Sequence, residues 1–302
     1  MQSQRGAFGA RLRDRSTLVL DGATGTELER RGVPSSLPLW SAPALLEHPE
    51  VVARIHSEYA AAGVEVLTAN TFRTQHRTLA RGGLGERAEE LTRIAVELAR
   101  RGARSGRPRV FVVGSAPPLE DCYRPDLVPE PQALAREHGE HARNLAAADV
   151  DAILVETMNS VREAVAATRA ARAEQLPVLA SFVCWDGARL LSGEPLESAA
   201  LAVRDVGADA VLVNCLPPSN VHACLPALAR SRLPFGAYAN LGEPNDETGF
   251  TRSEDCTPDA FARHAESWAL AGAQLVGGCC GTTPDHLRAV AQRLRGRVAS
   301  AR

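Results

Sequence analysis

Eight short apolar runs, separated by segments of helical character, set the architecture this chain can adopt. They read STLVLDG from Ser16, GVEVLTAN from Gly63, RVFVVGS from Arg109 and DAILVET from Asp151. The series continues with PVLASFVC from Pro177, ADAVLVNC from Ala208, PFGAYANL from Pro234 and AQLVGGCC from Ala273. Nearly continuous apolar stretches of this length are the mark of parallel strands covered on both faces. Between them lie Ala-, Arg-, Glu- and Leu-rich segments such as RAEELTRIAVELARRGARSG and ESAALAVRDVGADA, whose apolar positions recur at helical spacing. A local phrase also recurs, as AAGVEVL, AADVDAILV, DVGADAVLV and LAGAQLV. In each, a helix ends near glycine or a small residue and a strand follows at once. Eight strands alternating with helices predict an α/β protein with the (β/α)8 TIM-barrel fold, as a single domain over residues 1–302. A doubly wound open sheet is the alternative, because closure is not visible in sequence.

The connections are lopsided. Segments entering the strands are short, whereas those leaving them include RRGVPSSLPLWSAPALLEHPE after the first, APPLEDCYRPDLVPEPQ after the third and GEPNDETGFTRSEDCTP after the seventh. In a barrel these are the βα loops that build the functional face at the C-terminal ends of the strands. The proline-rich third and acidic seventh loops are candidate lids; tolerated surface insertions are the other reading.

Charge and composition narrow the classes. A formal net charge of −2 over 302 residues gives no electrostatic reason to expect nucleic acid or an anionic membrane as partner. The polar opening MQSQRGAFGARLRDRS has no apolar h-region, and no apolar run approaches the roughly 20 residues that span a bilayer. Seven cysteines without such a leader point to a reducing cytoplasm, with thiols used for metal or chemistry. Every basic residue is arginine, so Schiff-base, pyridoxal-phosphate and P-loop lysine chemistry are excluded.

Three of the cysteines fall at strand ends. Cys215 follows AVLVN in the sixth run, and Cys279 and Cys280 end the eighth within GGCCG. In a barrel all three meet at one rim, and three thiolates form a good set for tetrahedral zinc with one position left open. Glycines 277, 278 and 281 are expected to let the chain turn so that neighbouring side chains face one ion. Buried thiols acting as small hydrophobes, or a vicinal redox pair, are the competing readings.

DGATGTEL near the start, NTF at 70–72, VET at 155–157, VNC at 213–215 and GGCCGTTPDH near the end together resemble the zinc-dependent homocysteine S-methyltransferases. The likeness runs from about Leu18 to the last helix, and GGCCGT is its most specific element. It implies a (β/α)8 barrel, Zn2+ held by Cys215, Cys279 and Cys280, and methyl transfer to the sulfur of homocysteine, giving methionine. It also implies that Glu156 holds the substrate ammonium, that Asp21 contacts the substrate, and that Thr71 and Asn214 orient substrate or metal loop. A carboxylate paired with arginine, an Asx turn and a buried amide are the alternatives at Glu156, Asp21 and Asn214.

The chemistry is coherent. A free thiol with a pKa of about 8.5 is mostly protonated at neutral pH, and coordination deprotonates it. Zinc with four thiolates carries excess electron density, so the donor's methyl group must itself be activated, most simply on a sulfonium. The 302 residues are not expected to include the C-terminal extension of the betaine-using branch or the folate and cobalamin modules of other relatives. The chain looks most like the branch using S-methylmethionine or S-adenosylmethionine, although YANLGEPNDETGF matches that branch only loosely. The alternatives are a different thiol or selenol acceptor with another donor, zinc-assisted hydrolysis, and a non-catalytic zinc- or thiol-sensing barrel. Small-molecule substrates are the expected partners, and a homo-oligomer stays open. Cys184, Cys122, Cys256 and Cys224 are expected to be incidental, and His138 and His141, beside Glu137 and Glu140, to form a solvated helical stripe.

Overall fold

The computed structural model describes residues 2–14, 16–106, 109–243, 251–252 and 256–300. All eight apolar runs form strands: β1 Leu18–Val19, β2 Val66–Ala69, β3 Phe111–Ala116, β4 Ala152–Met158, β5 Val178–Phe182, β6 Ala210–Asn214, β7 Phe235–Ala239 and β8 Leu275–Gly278. Neighbours pair in parallel around one sheet, with β8 lying between β7 and β1. The ring closes between β1 and β2 through a parallel bridge, Leu20 to Val66, with the Asp21 N–H donating to the Val66 carbonyl at 3.0 Å. A helix follows each strand, from Pro49–Ala62 after β1 to Pro284–Ser300 after β8. This is a (β/α)8 barrel.

The recurring phrase has a common geometry. Gly63, Gly207 and Gly272 each take a positive φ, of 102°, 106° and 99°, and Asp149 occupies the matching place at 64°. Each residue reverses the chain out of a helix and into the next strand.

Strand parity then divides the apolar residues. Val19, Leu67, Val112, Ile153, Val178, Val211 and Val276 pack outward among the helices. Leu18, Leu20, Val66, Phe111, Val113, Leu154, Leu179, Leu212 and Leu275 fill the barrel interior. One step further up, on the six strands β2 to β7, the inward position turns polar: Thr68, Ser115, Glu156, Ser181, Asn214 and Tyr238. That layer is the floor of the functional face.

The opposite end is closed by the polar opening segment. Residues Gln2–Arg13 form a helix whose Phe8 is fully buried, packing edge-on against Phe111 with ring centroids 5.1 Å apart. Arg11 fixes its position, with an ion pair to Glu65 at 3.0 Å and a hydrogen bond to the Thr17 carbonyl at 3.1 Å. Among the described residues, no helix is long and apolar enough to cross a membrane.

Candidate active site: three thiols at the barrel mouth

Asn214 ends β6, and the next residue, Cys215, takes a left-handed backbone conformation with φ 55°. That turn directs its sulfur across the mouth toward the end of β8. Its Sγ lies 3.0 Å from Cys279 Sγ, and the sulfurs of Cys215, Cys279 and Cys280 all lie within 4.8 Å of one another. Two features hold the doublet. The Cys279 N–H donates to the Ala239 carbonyl at 2.8 Å, and the Cys280 N–H to Asn240 Oδ1 at 3.1 Å, both at the end of β7.

Of the three glycines expected to make this turn, only Gly281 has a positive φ, of 82°. Gly277 and Gly278 remain in β8, where they serve close packing instead. A Cβ on Gly278 would sit 2.4 Å from Thr282 Oγ1, and one on Gly277 2.8 Å from the Leu20 Cβ. Two consecutive thiols face one point because the chain leaves the strand at Cys279, which ends the alternation of faces.

The trio opens on a cleft of about 340 Å³. Its acidic side contains Asp21 and Glu156. Asp21 accepts from the Thr68 N–H at 2.8 Å and from Thr68 Oγ1 at 3.1 Å. Burial nevertheless holds its carboxyl well above the usual carboxylate range. Glu156 accepts from Ser115 Oγ at 2.5 Å; burial, and then the nearby Cys279, push its pKa up to about 7. The lining also includes aromatic rings, with Trp40 edge-on to Phe72 at 6.1 Å. Within the trio, the hydrogen bond with Cys215 lowers the pKa of Cys279 and raises that of Cys215.

Thr71 and Asn214 stand behind the cleft. Thr71 Oγ1 donates to the Ser115 carbonyl at 2.9 Å and accepts from the Ser115 N–H at 2.8 Å, so it braces the residue that holds Glu156. Asn214 Nδ2 donates to Thr157 Oγ1 at 2.8 Å and reaches Cys215 Sγ at 3.4 Å. Its Oδ1 accepts from Ser181 Oγ at 2.6 Å. Parity counted from the inward leucines would have located Thr68, Ser115, Ser181 and Tyr238, which motif reading missed.

The other cysteines and histidines differ in part from expectation. Cys122 is buried and lines the cleft, on a third loop tied down at three backbone points. Gln75 Nε2 donates to the Pro118 carbonyl, Asn159 Nδ2 to the Cys122 carbonyl, and the Leu119 N–H to Glu163. Cys184 and Cys224 are buried, and Cys256 is half-buried. His138 and His141 are buried rather than solvated. His138 Nε2 lies 3.2 Å from Glu163 Oε1, and His141 Nε2 lies 3.0 Å from the Ser115 carbonyl. Adjacent helix residues point about 100° apart, so the charged neighbours Glu137 and Glu140 say nothing about the face the histidines share. Of the seventh loop, residues 242–243, 251–252 and 256–258 are described, and Gly242–Glu243 pairs with Thr251–Arg252 as a ribbon. The lid expected there, and most of YANLGEPNDETGF, lie outside the described residues.

The donor set suits a thiophilic divalent ion: three thiols from two strand ends converge, and among the described residues no fourth His, Cys, Asp or Glu joins them. Fold and site together define a (β/α)8 barrel with a metal-competent thiol cluster at its mouth. A family model described as homocysteine S-methyltransferase matches residues 18–294. The homocysteine S-methyltransferase of Escherichia coli (strain K12) is 32% identical over 310 residues, covering 96% of this chain and 99% of that one. Homocysteine S-methyltransferase 4 of Zea mays is 31% identical, with 92% and 89% covered. A selenocysteine methyltransferase of Astragalus bisulcatus is 28% identical, with 90% of each covered. The crystal structure of the homocysteine methyltransferase MmuM from Escherichia coli in its metallated form superimposes with a TM-score of 0.82 at 29% identity, over 94% of this chain and 98% of that one. The chain belongs to the homocysteine S-methyltransferase family.

Proposed function

We propose that the protein, acting as one barrel domain over residues 1–302, transfers a methyl group from a sulfonium donor to the thiol of homocysteine, yielding methionine. The convergence of the Cys215, Cys279 and Cys280 sulfurs within 4.8 Å beneath an acid-lined cleft carries this reading. Zn2+ held by those three residues would keep the acceptor sulfur as a thiolate at neutral pH.

The chain's own groups supply the remainder. Glu156, aimed by Ser115, receives the acceptor's ammonium, and Asp21, fixed by Thr68, lines the same floor. Thr71 and Asn214 act at one remove, the first through Ser115 and the second through Cys215 and Thr157. A new S–CH3 bond forms on the acceptor sulfur as the donor's S–CH3 bond breaks, and that electron pair returns to the donor sulfur as a neutral thioether. The barrel's contribution is therefore positioning and electrostatics, with no protein base needed at the methyl carbon. All seven cysteines are free thiols, which suits a reducing cytoplasm.

The test is a methionine-formation assay with measured zinc content, using homocysteine and S-methylmethionine, S-adenosylmethionine or betaine; a selenol acceptor is run in parallel. Turnover with a sulfonium donor is expected, together with loss of both zinc and turnover in Cys215→Ala. Undiminished methionine formation in that variant would reject the mechanism, and zinc retained without turnover would favour a sensor.

A further inference from the structure

Among the described residues that line the cleft, one side chain is a cation. Among its described lining residues the ionisable side chains other than thiols and Tyr are Asp21, Glu29, Asp121, Glu156 and Arg73. Arg73 follows Phe72 on the loop leaving β2, and its guanidinium carbon lies 5.2 Å from the centroid of the Phe72 ring. Its Nε is buried with no hydrogen-bond partner, and among the described residues the side chain forms no ion pair. Arg77, four residues on, is the contrast: its Nε donates to Glu137 at 2.6 Å and its Nη1 to Glu120 at 2.8 Å. Arg77, in the short helix His76–Ala80, is thus neutralised twice, whereas among the described residues the cleft-lining arginine has no counter-ion. A buried, unpaired donor on a guanidinium is costly unless an anion arrives to meet it.

The height of Arg73 in the barrel indicates which anion. The acceptor, with its sulfur at the cysteine trio and its ammonium at Glu156, lies along the inward polar layer at the strand ends. Arg73 stands four residues beyond the end of β2, at the rim above that layer. A donor must enter from that side, with its sulfonium toward the thiol cluster. The part of the donor left at the rim is then beside Arg73. We propose that Arg73 is the residue that binds the carboxylate of the methyl donor. This inference rests on the methyl-transfer reading of the same site. A guanidinium fork matches a carboxylate with two parallel hydrogen bonds, and its stacking on Phe72 orients it in advance.

The experiment measures binding and turnover separately. Calorimetry on the zinc-loaded protein compares S-methylmethionine, S-adenosylmethionine and the methyl ester of S-methylmethionine, for wild type, Arg73→Gln and Arg73→Lys. Thermal unfolding checks that the variants are folded. Arg73→Gln is expected to weaken donor binding roughly 10- to 100-fold, the range of a charge-assisted pair. Arg73→Lys should lose less, the ester should bind wild type as weakly as the free acid binds the glutamine variant, and the KM for homocysteine should be unchanged. Equal donor binding by wild type and Arg73→Gln would overturn the assignment. So would a loss that falls on homocysteine, or a wild type that binds neither sulfonium carboxylate. Donor binding that depends on Arg73 without methionine formation would instead sink the methyl-transfer reading and leave the carboxylate anchor in place.

Discussion

Thr157 and Cys215 sit in left-handed backbone conformations, with φ of 58° and 55°, on neighbouring sides of the same amide. Such geometry costs a β-branched residue about 1–3 kcal/mol and persists only where the surroundings impose it. Asn214 is what imposes it here, bonding Thr157 at Oγ1 and at its N–H and reaching Cys215 Sγ. Asn214→Ala should therefore lower stability by about 2–3 kcal/mol in a denaturant titration. It should also weaken the zinc binding proposed for the trio roughly ten-fold in a chelator competition, since partners that orient a ligand tune a site to that extent. Glu156 carries an opposite trade. Its folded pKa of about 7 lies above the ordinary 4.5, so the fold favours the protonated acid. Stability is then lost as pH rises from about 4.5 through 7, by about 3 kcal/mol in total. Glu156→Gln should be at least as stable as wild type at pH 8 by thermal unfolding, while its KM for homocysteine rises. A variant that is markedly less stable there would contradict the burial argument.

At the scale of elements, the strands and the rim cysteines were legible because their signals are local: runs of apolar residues, and thiols immediately after them. The helix Gln2–Arg13 was not. Its only core-directed aromatic is Phe8, in a segment that otherwise reads as polar, and its burial depends on Phe111, over 100 residues away. The buried pair His138 and Glu163 was hidden for the same reason, being joined only when the helices after β3 and β4 pack together. Phe8→Ala should cost about 3–5 kcal/mol of stability, as other large-to-small core changes do. Because the helix closes the end of the barrel opposite the thiols, turnover per folded molecule should stay at the wild-type value when measured below the melting transition.

For the molecule as a whole, two buried histidines make the fold sensitive to acid. His56 is fully buried with neither ring nitrogen hydrogen-bonded, and burial lowers its pKa to about 4; His141 is lowered to about 4 by the same cause. Both are neutral in the fold and take up a proton on unfolding at pH below about 6.5. The unfolded chain thus binds more protons between pH 6.5 and 4, and stability falls with pH across that window. The slope should be about 1.4 kcal/mol per pH unit for each histidine. His56→Leu should remove about one proton's worth of that slope in urea titrations from pH 7 to 4.5, and an unchanged slope would refute the assignment.

The ring's seam is narrow where β1 meets β2, with one bridge at Leu20 and Val66 and a few backbone hydrogen bonds. Immediately above that bridge, the Asp21 carboxylate grips both the N–H and the hydroxyl of Thr68 on the far strand. The acid is a clasp as well as a cleft-lining residue. Whatever catalytic loss follows its replacement will include the loosening of the hoop on which the three sulfurs are hung.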